Sequence, residues 1–227
     1  MSAVLESTSY AHSGSQTNEN LDWTHTLGDL GSRGLIIVGA VGKETGGEEN
    51  PEEVNQILFN GVACTLLEAN REQSGFAVGY LLASNIPVAG VYNVRINFHD
   101  SPKYPNAKKG FVMAFRGLKN EAPEATNSNT QASGNMTLPI TSLTKNALLV
   151  GMYGHRTGNS YSFTTDQTIA VDVPNTGGEN TGAVGFYKNI VVPTTDNITV
   201  NPSNSESEAI IALVFATRKE AGAQIVG

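Results

Sequence analysis

The run Gly34-Leu-Ile-Ile-Val-Gly-Ala-Val41 sets the terms for the whole chain. It is short, rich in branched apolar residues and bounded by glycines, so it reads as a central strand rather than a helix. Strict alternation marks the segment before it, where Leu21, Trp23, His25 and Leu27 share one face and Asp22, Thr24 and Thr26 the other. A hairpin follows: Ile57-Leu-Phe59 and Val62 to Leu67 flank Asn60-Gly61, a pair that tolerates the positive φ angles of a type I′ turn. Further strands are predicted over 75–83, 90–98, 110–118, 136–140, 147–154, 161–173, 182–192, 198–201 and 209–217. Only Asn50 to Gln56, with Pro51 at a first helical position, suggests a helical turn.

The second half of this pattern echoes the first. Trp23-Thr-His-Thr-Leu27 followed by Leu35-Ile-Ile-Val-Gly39 is matched by Met136-Thr-Leu-Pro-Ile140 followed by Leu148-Leu-Val-Gly151. Gly75 to Tyr80 leading to Val91-Tyr-Asn-Val94 is matched by Gly182 to Tyr187 leading to Asn197-Ile-Thr-Val200. Two repeats of about six strands are too few for a solenoid or propeller, which leaves a single all-β sandwich of antiparallel strands closed from two pseudo-repeated halves. The expected organisation is an N-terminal arm over 1–19, a sandwich over 20–218 and a C-terminal tail over 219–227. Its halves are 20–118 and 136–218, joined by a polar linker over 119–135.

Composition narrows the function. The net charge of −7 and the absence of a Lys/Arg stripe argue against nucleic acid; Lys108-Lys109 and Arg218-Lys219 read as solvated turns or strand ends. No run reaches the ~18 apolar residues of a membrane span, and no secretory leader is legible. The one cysteine, Cys64, sits in an apolar run and reads as a small buried hydrophobe.

Catalytic signatures are missing. There is no Gly-x-Ser-x-Gly elbow, Ser-x-x-Lys pair or Walker loop, and the four histidines, His12, His25, His99 and His155, lack metal-site spacing. His25 reads as a partly buried core histidine and His155 as part of a solvated turn. Glu44, Glu48, Glu49, Glu52 and Glu53 crowd one loop, while Asp196, Glu206 and Glu208 lie near strand ends of the second half. Clusters of this kind are usually solubilising, so a Ca²⁺ site is not predicted, and no cofactor is expected. Tyr104 and Tyr161, both in polar loops, are the best exposed aromatics for a glycan, and Trp23 points inward.

With the strands placed, the order of motifs resembles a family of jelly-roll-like β-sandwich domains found in phage virion proteins and bacterial surface proteins. The shared pattern is an alternating strand through Trp23-Thr-His-Thr26, the strand Leu35 to Gly39, and the hairpin Leu58-Phe-Asn-Gly-Val-Ala-Cys-Thr-Leu66. The strands containing Gly79-Tyr-Leu-Leu82, Val91 to Val94 and Phe111 to Phe115 also fit. The resemblance covers roughly 20–218 and brings no catalytic residues with it. It implies a non-enzymatic assembly subunit, such as a capsid decoration or cement protein or a tail or fibre subunit, made in the host cytoplasm and built into a virion. The partners it implies are further copies of the chain, with threefold or higher association, and other virion proteins. The alternative is a carbohydrate-binding or adhesive module at a cell surface.

Overall fold

The computed structural model describes residues 2–14, 19–43, 54–70, 74–98, 107–156, 161–163, 166–173, 181–203 and 207–218. Seventeen strands account for most of these residues. The first nine are β1 (Val4–Ser13), β2 (Asn20–Leu27), β3 (Gly34–Lys43), β4 (Val54–Phe59), β5 (Val62–Ala63), β6 (Thr65–Glu68), β7 (Ser74–Leu82), β8 (Gly90–Phe98) and β9 (Ala107–Arg116). The remainder are β10 (Ala125–Gln131), β11 (Met136–Thr141), β12 (Ala147–His155), β13 (Tyr161–Phe163), β14 (Thr168–Val173), β15 (Gly182–Ile190), β16 (Thr195–Pro202) and β17 (Glu208–Ala216). Two 3-10 turns are the only helical elements among the described residues. The chain is therefore all-β, and every strand pairing between these elements is antiparallel.

The strands form four sheets rather than the two of a single sandwich. Residues 1–118 build an inner sheet, β1-β9-β3-β7-β6, and an outer sheet, β2-β8-β4-β5; the remainder builds an inner sheet, β10-β17-β12-β15-β14, and an outer sheet, β11-β16-β13. Each half encloses its own core. Ile36, Val38 and Ala40 of β3 meet Ile57, Phe59, Val94 and Ile96 in the first, and Leu149, Phe186 and Ile210 meet Leu138, Ile198 and Val200 in the second. The two inner sheets then pack face to face through a third core. There Leu35, Ile37, Phe76, Phe111 and Met113 meet Leu148, Val150, Met152, Ile211 and Phe215. An inner strand is thus buried on both faces, which is why β3, β9, β12 and β17 read as continuous apolar runs instead of alternating ones.

Orientation follows from side-chain contacts across the seam. A Cβ added at Gly154, near the far end of β12, would lie 2.5 Å from Phe76 and 3.0 Å from Val41, so β12 and β3 finish at the same end. We term this the lower end, and the end where β3 and β12 begin the upper end. At the upper end a short bridge ties the halves: Leu118 pairs with Thr217, the Lys119 amide donates to Ala216 at 3.0 Å, and the Arg218 amide donates to Gly117 at 3.3 Å. The Ala3 amide and carbonyl also bond the Asn189 side chain at 3.1 and 3.2 Å, fastening the chain start to β15.

Several local expectations hold. Asn60 (φ 51°) and Gly61 (φ 76°) both take the left-handed backbone of a type I′ turn between β4 and β5, and β2 buries Leu21, His25 and Leu27 on one face. Others are corrected. Within the expected arm 1–19, residues 4–13 form β1, paired in register along β9; within the expected linker 119–135, residues 125–131 form β10, paired along β17. Both are edge strands whose backbones are held by a neighbour while many side chains face water, so polarity hid them. Val54 to Gln56 belong to β4 rather than to a helical turn. Nor are Lys108 and Lys109 solvated: they open β9 between β1 and β3 and are 0 % and 2 % exposed.

The glycines aligned between the halves do not share a face. Gly39 looks into the seam, where a Cβ would strike the Phe111 ring at 2.2 Å, whereas Gly151 looks into the second half's own core, against Phe186 at 2.8 Å. Matching them shifts the second strand by one residue, which in a strand exchanges the two faces.

The seam makes a direct prediction. Gly154→Val places a branched side chain against Phe76 and Val41, and the overpacking should cost about 1–3 kcal/mol in urea unfolding. Unchanged stability would contradict face-to-face packing of the inner sheets.

Candidate functional site

Polar chemistry inside this fold concentrates at strand ends. In the first half, β1 and β2 leave the inner and outer sheets as adjacent edges, joined by side chains. His25, 1 % exposed, reaches Ser7 Oγ through Nε2 at 3.0 Å and Ser9 Oγ through Nδ1 at 2.8 Å. The Trp23 indole Nε1 donates to the same Ser9 oxygen at 3.0 Å. Burial lowers the His25 pKa to about 4, so the ring is neutral at pH 7, and either neutral tautomer satisfies both serines. This is a polar seal between two sheets, with no described nucleophile activated by a charged partner.

The more unusual cluster lies at the lower end of the second half. Tyr153 and His155, two residues apart on β12, both point into the core between inner and outer sheets, their rings stacked 5.5 Å apart. His155 is the register partner of Glu208, the first residue of β17. Glu208 is fully buried, and neither carboxylate oxygen has a hydrogen-bond partner of good geometry. Burial raises its pKa to about 7, against the opposing pull of the Tyr153 hydroxyl. His155 is 4 % exposed with an unbonded Nδ1; burial, then the charge of Lys109, lowers its pKa to about 4. The expectation of a solvated turn at His155 is therefore corrected: it ends an interior strand, and a Cβ on its neighbour Gly182 would lie 2.1 Å from its Nε2.

Tyr161 belongs to this cluster. It lies on β13, half-buried, with ring neighbours Tyr153 at 5.6 Å and Phe163 at 5.9 Å. Its hydroxyl donates to Asp172 Oδ2 at 2.8 Å. Burial first, then the Asp172 bond and charge, raise its pKa. A ring fixed in this way is a structural strut, not the free loop aromatic expected from sequence. Tyr104 lies outside the described residues, as do His99, Glu206 and the acidic segment 44–53.

The remaining candidates disperse. His12 sits on the exposed face of β1, Cys64 is buried with its thiol pushed up to about 12 by burial, and Asp196 is held by Lys188 at 2.5 Å. Among the described residues no three of His, Cys, Asp and Glu converge as metal ligands. Sequence reading missed the Tyr153–His155–Glu208 group because its members are joined only by register between β12 and β17. The available signal was a carboxylate and an imidazole adjoining two otherwise apolar runs.

Two clefts open at the upper end. One, of about 540 Å³, is lined by residues that include Leu30, Ser32, Arg33 and Arg116. The other, of about 500 Å³, is lined by Lys119, Thr144, Lys145, Asn146, Ala216 and Thr217. Among the described residues that line them, both have cations and no carboxylate, in a chain with 14 Lys and Arg against 21 Asp and Glu. No protein-family model and no curated protein matches the chain.

The buried carboxyl predicts a pH signature. With its folded pKa near 7 and its ordinary value at 4.5, Glu208 ionises in the unfolded chain first, so its contribution to stability is lost as pH rises from 4.5 through 7. His25 and His155 act oppositely, with stability lost as pH falls from 6.5 to 4. Glu208→Gln should therefore gain about 2 kcal/mol on wild type between pH 5 and pH 8 in urea unfolding. A pH-independent difference would show that Glu208 keeps its ordinary pKa in the folded protein.

Proposed function

We propose that the chain is a non-enzymatic assembly subunit built as two jelly rolls in tandem, of the kind that decorates or cements a phage virion. The reading of the fold rests on chain path. In each half the chain starts at an edge of the inner sheet, and the last strand inserts between the first and third, giving β1-β9-β3-β7 and β10-β17-β12-β15. The second strand opens the outer sheet, and the penultimate strand pairs beside it, giving β2-β8-β4 and β11-β16-β13. This path supports the reading of each half as a jelly roll. The halves differ where β5 extends the first outer sheet, while β6 and β14 each extend an inner sheet, beyond β7 and β15.

The observation that carries the assembly reading is the distribution of exposed aliphatic side chains. Val88, Val91, Leu143, Val191 and Val192 are each more than 60 % exposed, and all five lie at the upper end. Leu143, Val191 and Val192 adjoin, because the Ser142 amide bonds Thr194 and the Asn146 amide bonds Val191. Val88 and Val91 flank the corresponding turn of the first half, between β7 and β8. Apolar side chains gathered at one end of a body mark a contact surface. The partners proposed are further copies of the chain and other virion proteins, met in the host cytoplasm where virions are built. The alternative, a glycan-binding module, loses the support of Tyr161, whose hydroxyl and ring are both engaged.

Sedimentation velocity over a rising concentration series tests this reading, with self-association as the expected result. Val88→Asp combined with Val192→Asp should weaken it at least about tenfold, since each charge enters an apolar contact. A chain that stays monomeric at every concentration, and binds no virion surface, would sink the proposal.

A further inference from the structure

The upper cleft of the first half sets guanidinium groups beside apolar side chains. Its lining brings Arg33 and Arg116 together with Val4, Leu30 and the hydroxyls of Ser2 and Ser32 around a space of about 540 Å³. Strand pairing places the two cations: Arg33 stands one residue before β3, and Gly34, which opens β3, is the register partner of Arg116 at the end of β9. Arg33 is half-buried and has no ion-pair partner among the described residues. Glu6 engages Arg116 at Nε, at 2.6 Å, and Asp29 accepts from the Gly31 amide at 2.8 Å. A guanidinium partly withdrawn from water favours an acceptor, and its planar fork matches two oxygens of a carboxylate or a phosphate.

We propose that this cleft binds a small organic oxyanion, a carboxylate or phosphate carried on a short aliphatic body, with Arg33 and Arg116 holding the oxygens and Val4 and Leu30 the carbon chain. The size fits, since small-molecule clefts run from about 300 to 1,000 Å³ and combine apolar walls with a few polar groups. An inorganic ion would leave most of that volume to water. The second half offers a comparison. Its cleft takes the corresponding place, where the last strand ends beside the start of the third. There the Asn146 carbonyl accepts from the Thr217 amide at 3.1 Å, as the Arg33 carbonyl does from the Leu118 amide at 3.2 Å. Its cations, however, are Lys119 and Lys145, point charges rather than forks, and Glu121 already lies 3.6 Å from Lys119 Nζ. Oriented recognition of two oxygens therefore belongs to the first cleft. The ligand needs nothing from a second copy, so a monomeric chain binds it as well.

The test is calorimetric titration of the full chain with butyl phosphate and with butyrate, each against inorganic phosphate and sodium chloride at matched ionic strength. Saturable binding of at least one butyl anion is expected, at least about threefold tighter than inorganic phosphate because the alkyl chain is withdrawn from water. Whichever butyl anion binds tighter identifies the head group as phosphate or carboxylate. Arg33→Gln should weaken binding at least about tenfold, the loss of a charge-assisted pair. Glu6→Gln should tighten it, because Arg116 is then released to the ligand. Lys145→Gln, with the same change in net charge but in the other cleft, should leave it unchanged. If Arg33→Gln loses stability in thermal unfolding, Arg33→Lys keeps the charge, removes the fork and should still weaken binding. Three results would overturn the inference: no saturable binding of either butyl anion, indifference to both Arg33 substitutions, or a loss with Lys145→Gln equal to that with Arg33→Gln.

Discussion

Burial of two five-stranded sheets against one another is the constraint on which the rest of the structure depends. Once both faces of an inner sheet are covered, its backbone groups lose access to water on either side. Every inner strand must then find its hydrogen bonds within the ladder. That condition explains the long unbroken registers of β3 with β7 and β9, and of β12 with β15 and β17. It also explains the glycines: rings such as Phe111 and Phe186 lie over Gly39 and Gly151, and a methyl group at either position would collide with them.

Closure of each sandwich uses different means in the two halves. Ser7, Ser9, His25 and Trp23 connect β1 to β2 in the first. In the second, Asn127 and Asn129 of β10 donate to the Pro139 and Thr137 carbonyls of β11, at 2.6 and 3.1 Å. Both arrangements spend polar side chains on an edge that would otherwise offer unpaired backbone to a foreign strand. They are chemically unrelated solutions to the same problem.

Legibility in the sequence tracked how far the pattern of a segment depends on its own faces. Alternation at Leu21 to Leu27, the Asn60-Gly61 turn and the apolar runs of β3, β12 and β17 all announce themselves, because burial or positive φ acts on those residues directly. Strands β1 and β10 do not, since an edge strand is fixed by a partner's backbone more than a hundred residues away for Val4 with Arg116, and almost ninety for Ala125 with Val214. The number of layers was equally hidden. A run buried on two faces has the same composition whether its second cover is a helix, a loop or another sheet, so one sandwich was expected where two stand together. His155, Lys108 and Glu208 look solvated by type and are interior by register, and register is a property of strand pairs.

The bridge between Leu118 and Thr217 has a consequence for how the chain is made. Residues 1–118 contain every strand of the first sandwich, so its strand pairings need no residue from the second half. Until β12, β15 and β17 exist, however, Leu35, Ile37, Phe76, Phe111 and Met113 form a bare greasy plate. Joining the halves in one polypeptide turns the covering of that plate into an intramolecular event, at an effective concentration on the order of millimolar that independent subunits at cellular abundance would not reach. Nascent-chain order, from this viewpoint, accounts for the crossing at 117–124 being short and pinned to the end of the last strand. The residues that follow β17 are the ones that clasp it.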